Sequence, residues 1–446
     1  MLIRFVVSNF LSFDEEREFN MLAGTFKTHK HHVYSSGKLD LLKSAAIYGA
    51  NGAGKSNLIK AIEFLQNIVE EGGIKKSVNE KKFKLNKANV EKPISFEIEF
   101  SVEKKIYSYG VSLNQSVVTE EWLYESGVTT EGKMIFERKL TKFGKQELKF
   151  ADKYQKTPKQ KLLRELMEES LLKSGELLLS KSEELKIDSI ESVRNFIIKR
   201  LIIIYPNSKF QTLIPALVFS KKFNSFANEL LQAFDTGVTE LTVESIDIEK
   251  YFGSEDGELK AEIIGQLEDG DDIILNGENG SVLITKEKDK NIVKKMLALH
   301  VNNEGQDIPF DLENESDGTK RLLDFIPAFD RILQHDVTFI IDEIDQSLHP
   351  ALLKALVHKI MSDETTKGQL IFTTHESNLL DLEIFRQDEI WFVEKDKKTG
   401  GSQIYSLSDF KPRYDLDIRK GYLKGRFGAI PFLARLEDLK WQFENV

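Results

Sequence analysis

The octapeptide Gly49-Ala50-Asn51-Gly52-Ala53-Gly54-Lys55-Ser56 constrains this chain more than any other stretch, because it fits G-x-x-x-x-G-K-[ST] in a context that gives the pattern a use. It follows the apolar run Ser44–Tyr48, which reads as a strand. It opens Asn57–Glu70, where Leu58, Ile62, Leu65 and Val69 recur at helical spacing. The glycines let the backbone curl so that successive N–H groups face one anion. The helix N-terminus adds the positive end of its dipole. Lys55 is placed to reach the β- and γ-phosphates of a nucleotide, and the Ser56 hydroxyl to ligate Mg²⁺. Gly49, Asn51, Gly52, Gly54 and Asn57 complete the expected nucleotide-binding set.

A second segment gives the loop a chemical partner. Val337-Thr338-Phe339-Ile340-Ile341 is mostly apolar and reads as a buried strand, and it ends in Asp342-Glu343. Two adjacent acids at a buried strand end are costly unless a cation or a reaction uses them. Asp342 is expected to hold Mg²⁺ through water. Glu343 is expected to act as general base on the attacking water. Between loop and acids, Ser316-Asp317-Gly318-Thr319 opens a helix, an arrangement that also suits an ordinary helix cap. After the acids come the turn Asp345-Gln346-Ser347-Leu348-His349-Pro350 and a strand ending Thr373-Thr374-His375-Glu376.

Around these motifs the chain divides into a lobe over 1–150, a helical and β insertion over 151–299, and a closing lobe over 300–446. Strands are expected over Leu2–Val7 and on through Phe19, and again from Ser95 to about Phe150, separated by a basic surface loop over Gly72–Lys92. Lys159–Glu184, Ile190–Ile204 and Phe219–Phe234 read as helices, with Thr157 as N-cap and Pro158 in the first turn. Leu241–Thr285 reads as short strands with turns at Asp269-Gly270, Asn276-Gly277 and Asn279-Gly280. Thr319–Leu333, Val337–Ile341, Leu348–Met361, Gln369–Thr373 and Ile390–Val393 then alternate helix and strand. That alternation suits a mainly parallel sheet with helices on both faces, so the fold class is α/β.

Composition narrows the function classes. There is no cysteine among 446 residues, which excludes disulfides, thiolate metal sites and cysteine nucleophiles. No run of about 20 apolar residues occurs and the first residues lack signal-peptide order, so a cytoplasmic protein without membrane contact is expected. A net charge of −10 argues against broad electrostatic affinity for nucleic acid. Lys75, Lys76, Lys81, Lys82, Lys84 and Lys87 form a basic run, read as a solvated loop. The same reading is given to His29, His31 and His32.

The order of phosphate loop, long insertion, Ser-x-Gly helix, Asp-Glu strand, Asp-containing turn and strand-end His resembles the ABC ATPase class in its SMC/RecF/OLD-like branch. Ile3, Asn9-Phe10 and Phe13 resemble that branch's first hairpin. The resemblance implies an ABC-type P-loop head whose two ATP sites form when two heads meet. It gives Ser316 and Gly318 a role in trans on the γ-phosphate held by the partner head. It places Asp345 in the dimer-contact loop and His375 beside the γ-phosphate and water. Arg4 and Phe5 are expected on the adenine side. The signature departs from the Ser-Gly-Gly-Gln of transporters. The class's glutamine loop is not assigned, since Gln115, the nearest candidate, falls in a hairpin turn.

Three further stretches, Asp388–Lys395, Ile404–Phe410 and Gly421–Pro431, resemble stand-alone prokaryotic anti-phage ATPases, among them OLD-like, Septu and PARIS ATPases. That resemblance implies abortive infection, with self-association into a homodimer or higher oligomer, ATP and Mg²⁺ at the site, and a DNA or phage-protein trigger. OLD-type proteins carry a Toprim nuclease, but only about 70 residues follow His375 and the pair Glu394 and Asp396 stands alone, so a separately encoded nuclease or toxin is the expected effector. The insertion or the Gly421–Pro431 tail is the expected docking region for it. The rival functions are a DNA-repair or chromosome-maintenance ATPase acting on DNA directly, and an ATP-dependent scaffold with little turnover.

Overall fold

A computed structural model describes residues 1–35, 39–127, 132–208, 213–253, 257–268, 272–277, 280–287, 290–413 and 416–430. The turn signals at Asp269-Gly270 and Asn279, and Pro431 at the end of the tail motif, lie outside the described residues. The chain divides into two compact units, one of Met1–Tyr205, His335–Ile344 and Val357–Val446, the other of Pro206–Gln334 and Asp345–Leu356. This partition cuts across the expected lobes, because residues 151–205 fall in the unit that holds the phosphate loop.

In the first unit a six-stranded sheet carries the motifs. Its order is Leu201–Ile204, Thr338–Ile341, Gln369–Thr373, Ser44–Tyr48, Ile390–Lys395, Ser402–Ser406, parallel except for the last hairpin. The strand ending in His375 therefore lies between the phosphate-loop strand and the acidic strand. Burial on both faces explains why apolar residues dominate these strands without alternation, since Ser44–Tyr48, Thr338–Ile341 and Gln369–Thr373 are buried at every position. The one buried polar side chain at the base of the middle strand is fully used. Gln369 accepts from the Leu2 N–H at 2.6 Å and the Thr338 hydroxyl at 2.9 Å, and donates to the Leu2 and Leu42 carbonyls at 3.0 and 2.9 Å.

A seven-stranded antiparallel sheet completes the unit, in the order Gln146–Phe150, Lys133–Leu140, Val117–Ser126, Lys105–Asn114, Ile94–Val102, Leu2–Ser8, Arg17–Asn20. Ile94, Phe96, Ile98, Phe100 and Val102 alternate inward as the period-two pattern requires. Helix Lys55–Glu70 buries Leu58, Ile62, Leu65 and Val69, the expected face, together with Ile59 and Ile68. At about 1.5–3 kcal/mol per large apolar side chain, that stripe outweighs the helix's weak intrinsic stability.

The helical stretch after residue 150 joins this unit through a buried polar network. Glu121 is fully buried on the antiparallel sheet and accepts from the N–H groups of Leu178 and Leu179 at 2.7 and 2.9 Å and from the Tyr109 hydroxyl at 3.1 Å. Arg138 stands 3.5 Å away and donates to the carbonyls of Lys173, Ser174 and Glu176. Burial pushes the Glu121 carboxyl up, and the guanidinium and N–H groups pull against it.

Thr157 caps its helix as expected, with Gln160 closing the capping box and Pro158 in the first turn. That helix ends at Leu166, followed by a π-turn over Met167–Leu171, short of the expected Glu184. A larger departure is Ile190–Ile204. Helix Asp188–Asn195 passes through a π-turn into the strand Leu201–Ile204, which pairs with Thr338–Ile341. A short Ile-rich run suits helix or buried strand equally by pattern, and the open edge of the parallel sheet decides.

In the second unit Lys221–Ala233 is the helix expected over Phe219–Phe234, capped by Ser220, and a further helix, Leu213–Phe219, precedes it where none was expected. An antiparallel sheet joins Glu240–Asp247, Lys290–Val301, Gly280–Glu287 and Ile273–Gly277 in that order, with Asp307–Asp311 on Lys290–Val301. Ile248–Phe252 and Gly257–Glu268 are helices where only strands are expected. Among the described residues no helix is long and apolar enough to cross a membrane.

Arg138→Met leaves the Glu121 carboxylate buried without its cation. Urea unfolding should show a loss of about 3–5 kcal/mol, and the double variant with Glu121→Gln should recover part of it. Equal losses in the single and double variants would count against the pairing.

Candidate functional site

The phosphate loop is shaped by walls from distant parts of the first unit. Gly54 has φ +119°, and a Cβ there would meet Ser402 Oγ at 2.2 Å and Ser12 Oγ at 2.8 Å. At Gly49 a Cβ would meet the Val393 carbonyl oxygen at 2.3 Å. These close approaches require glycine. Ser402 Oγ donates to the Ala53 carbonyl at 2.6 Å, and Asn57 Nδ2 donates to Ser12 Oγ at 2.9 Å. Asn51 and Gly52 are exposed, and Ser56 and Asn57 half-buried.

Helix Lys55–Glu70 starts at Gly54 with no side-chain cap and no acid in its first turn, so its leading N–H groups suit an anion. Lys55 is buried, and its Nζ donates to the Gly49 carbonyl at 2.8 Å and to His375 Nε2 at 3.0 Å. An ammonium can donate only to an unprotonated ring nitrogen, so the His375 proton lies on Nδ1 in this arrangement. His375 itself is exposed.

Thr373, two residues before His375 and fully buried, organises the acids. Its hydroxyl donates to Asp342 Oδ1 at 2.5 Å and accepts from the Glu343 N–H at 2.8 Å. The Asp342 N–H donates to the Ile204 carbonyl at 2.8 Å, so the strand that pattern alone mistook for helix also holds the acid. Asp342 is buried and Glu343 half-buried with φ +50°, a left-handed conformation that costs on the order of 1–3 kcal/mol for a non-glycine residue. Bonds from Glu343 N–H to Thr373 Oγ1 and from Ile344 N–H to the Thr373 carbonyl at 3.1 Å offset that strain. Buried Asp342 and the Ser56 hydroxyl are hard oxygen donors of the kind Mg²⁺ takes.

Ser316, Gly318 and Asp345 belong to the second unit. Ser316 Oγ accepts from the Thr319 N–H at 3.1 Å, so it caps helix Asp317–Gln334 and remains exposed. A Cβ on Gly318 would meet the Ser347 carbonyl oxygen at 2.9 Å, where the turn after Asp345 passes close. Asp345 is half-buried, and its carbonyl accepts from the Leu348 N–H at 3.3 Å. Ser316, Gly318, Ser347 and His349 line part of a cavity of about 350 Å³ within this unit.

Other expectations change. Phe5 is fully buried and unable to stack on a base, while Arg4 is tied to Glu18, Glu97 and Glu99. Lys82 leaves the basic run, since it is buried and donates to the Val90 carbonyl at 2.5 Å and Asn114 Oδ1 at 2.7 Å. Gln115 does sit in a hairpin turn, with φ +53°. Asp396 is occupied in its own turn by the N–H groups of Lys398 and Thr399. Thr373, Ser12 and Ser402 escaped pattern reading. Only Thr373 had a visible signal, its place in the strand-end run before His375.

Fold and site define a mixed α/β P-loop head of the expected class, with flanking helices and the His375 strand between the phosphate loop and the acids. Residues 44–381 match the family described as "AAA domain, putative AbiEii toxin, Type IV TA system", and the chain belongs to that family. No curated protein matches the sequence. Among solved structures the chain is similar to an SMC head bound to the C-winged helix domain of ScpA, at 14% identity and TM-score 0.48 over 92% of this chain and 99% of that one. It is similar also to the SMC head domain from Thermotoga maritima, at 12% identity and TM-score 0.39 over 91% and 98%. A third is the Pyrococcus furiosus Smc head with an extended coiled coil bound to the C-terminal domain of ScpA, at 15% and 0.40 over 92% and 97%.

Thr373→Val removes the hydroxyl from a buried carboxylate and a strained turn. Unfolding free energy should fall by about 1.5–3 kcal/mol, whereas Thr373→Ser, which keeps the hydroxyl, should lose less than about 1 kcal/mol. Indistinguishable denaturation midpoints for the two variants would remove Thr373 from its organising place.

Proposed function

We propose that this chain is a magnesium-dependent ATPase that pairs head to head around ATP and so gates a separately encoded effector, in defence against phage. The observation that carries the nucleotide half is the convergence of Lys55 on His375, while Thr373 on the same strand holds Asp342 and Glu343. Gly49, Asn51, Gly52 and Gly54 cradle the phosphates with backbone N–H groups, and Asn57 braces the loop through Ser12. Lys55 neutralises the β- and γ-phosphates. Ser56, and Asp342 through water, would hold Mg²⁺, which when bound would screen the charge on the phosphate oxygens. Glu343 takes the proton of the attacking water, and His375 orients that water beside the γ-phosphate.

Ser316 and Gly318 act on the nucleotide of the partner head, and Asp345 lies in the loop that meets that head. Ser316 and Asp317 are exposed at this helix start, as such a contact requires. Each sandwiched nucleotide adds contacts to the paired state only, and differential affinity of that kind moves a conformational equilibrium. The family's description as a putative toxin of a type IV toxin–antitoxin system supports a role beside a separately encoded partner, while the defence role rests on the resemblance to Septu and PARIS ATPases.

Lys55→Ala should weaken ATP binding at least about 10- to 100-fold, from the ~1.5–3 kcal/mol of a bond to a charged group. Glu343→Gln should keep ATP bound, lose turnover by about 10²–10⁴-fold and accumulate as a pair of doubled mass in light scattering. Ser316→Arg mixed with Lys55→Ala should regain partial turnover, because both lesions can fall in one composite site and leave the other whole. No regain in a confirmed mixed pair would reject the shared site. Turnover stimulated by DNA without a partner protein would favour the DNA-repair reading. Phage protection by this chain alone would overturn the separate effector.

A further inference from the structure

The turn His29-Lys30-His31-His32 is not the solvated loop its polarity suggests. His32 is buried, and its Nδ1 lies 2.9 Å from a carboxylate oxygen of fully buried Glu389. His29, in a left-handed conformation with φ +47°, places Nε2 2.9 Å from the Leu382 carbonyl. One potential donor nitrogen from each of the three rings lies within 4.8 Å of the others. The His31 and His32 rings stand edge to face with centroids 4.5 Å apart, and His29 and His32 stack at 4.9 Å.

These contacts assign the ring protons. A carbonyl oxygen accepts only, so His29 carries hydrogen on Nε2 and offers Nδ1. A carboxylate facing Nδ1 of His32 takes hydrogen from it, so Nε2 is the free donor there. A carboxylate or carbonyl fixing the far nitrogen of an imidazole is the outer-shell pattern that orients histidine metal ligands and raises their basicity. Glu389 is itself fixed, by the Ser44 hydroxyl at 2.5 Å and the Arg386 N–H at 2.7 Å. Nothing in the nucleotide chemistry uses this cluster.

We propose that His29, His31 and His32 form a zinc site, with Glu389 and the Leu382 carbonyl as outer-shell partners. Three neutral imidazoles with no thiolate suit Zn²⁺, and water completes a tetrahedron. Tetrahedral nitrogens at about 2.0–2.1 Å from zinc lie about 3.3 Å apart. One nitrogen of each ring already lies within 4.8 Å of the others, and the half-buried His31 ring, with no ring hydrogen bond among the described residues, is the one that can turn to close the set while His29 and His32 keep their carbonyl and carboxylate bonds. The site fastens this turn, through His32 and Glu389, to Ser44 at the start of the phosphate-loop strand. Its effect is therefore on the stability of the nucleotide sheet, at the end of that strand away from Gly49.

The test uses the full chain without an affinity tag, stripped with chelator and titrated with Zn²⁺ by calorimetry and by competition with a chromogenic chelator. One zinc per chain at sub-micromolar affinity is expected, with a rise in melting temperature. Co²⁺ at the same site should show the visible bands of tetrahedral nitrogen coordination. His31→Asn, at a half-buried ring with no ring hydrogen bond among the described residues, should fold and weaken binding at least about tenfold, and so should Glu389→Gln. His358→Ala, on the exposed face of helix Pro350–Ser362, should leave stoichiometry and affinity unchanged. No stoichiometric zinc, or His31→Asn binding zinc as tightly as the parent chain, would overturn the site. Nucleotide turnover is not part of the readout.

Discussion

The insertion of one strand, Gln369–Thr373, between the phosphate-loop strand and the acidic strand is the constraint on which the first unit depends. Its parallel bonds to Ser44–Tyr48 on one side and Thr338–Ile341 on the other fix the register of both. Its two ends carry the polar groups that make this register consequential. At the base, Gln369 binds Leu2 and Leu42 backbone groups and so ties the start of the antiparallel sheet to the parallel one. At the top, Thr373 binds Asp342 and the Glu343 N–H. A one-residue slip would turn Thr373 away from the acids and put Gln369 among apolar neighbours, so the polar pair discriminates against misregister as well as stabilising the right one.

The phosphate loop shows the same dependence on distant partners. Gly49 and Gly54 are needed because the Val393 carbonyl, Ser402 and Ser12 come too close for a Cβ. Ser12 and Ser402 lie outside the matched family segment 44–381, although both are bonded to the loop or its helix. The N-terminal hairpin and the tail hairpin are thus walls of the phosphate loop. A chain cut back to the matched segment would keep the motif and lose the surfaces that give it its curvature.

How much could be read beforehand follows from the range of the interaction involved. The helix after the loop, the Thr157 cap and the strands Ser44–Tyr48 and Gln369–Thr373 were legible, because spacing and capping are local. Leu201–Ile204 was not, because its Ile-rich run has no period of its own and a sheet edge over 130 residues later decides it. The helices Ile248–Phe252 and Gly257–Glu268 were hidden among turn signals that dominate their flanks. Phe5 and Lys82 were misplaced for opposite reasons. A strand pattern does not say which face is covered twice, and a basic run does not say which lysine finds carbonyl partners. The motif segments fall at the strand and helix ends where pattern placed them, while the contacts of Thr373 required the sheet order to be known.

The two ends of the phosphate-loop strand are anchored by unlike means, and the difference bears on how the head can move. At Ser44 the anchor is a buried set of fully partnered groups, Glu389 with Ser44, His32 and the Arg386 N–H. Arg386 also donates twice to Asp388 and to the carbonyls of Gly24 and Thr28, so this end is cross-linked into the core. At Gly49 the anchor is a curl of backbone around Lys55, next to exposed Asn51, Gly52 and His375. Opening free energy varies within a fold with burial and with the number of partnered groups. The Ser44 end is therefore the more firmly held of the two, and local opening costs less at the loop end. The asymmetry suits the proposed nucleotide switch, because a ligand moves an equilibrium only by what it binds differently in its two states, and the end with fewer partnered groups is the one that can differ.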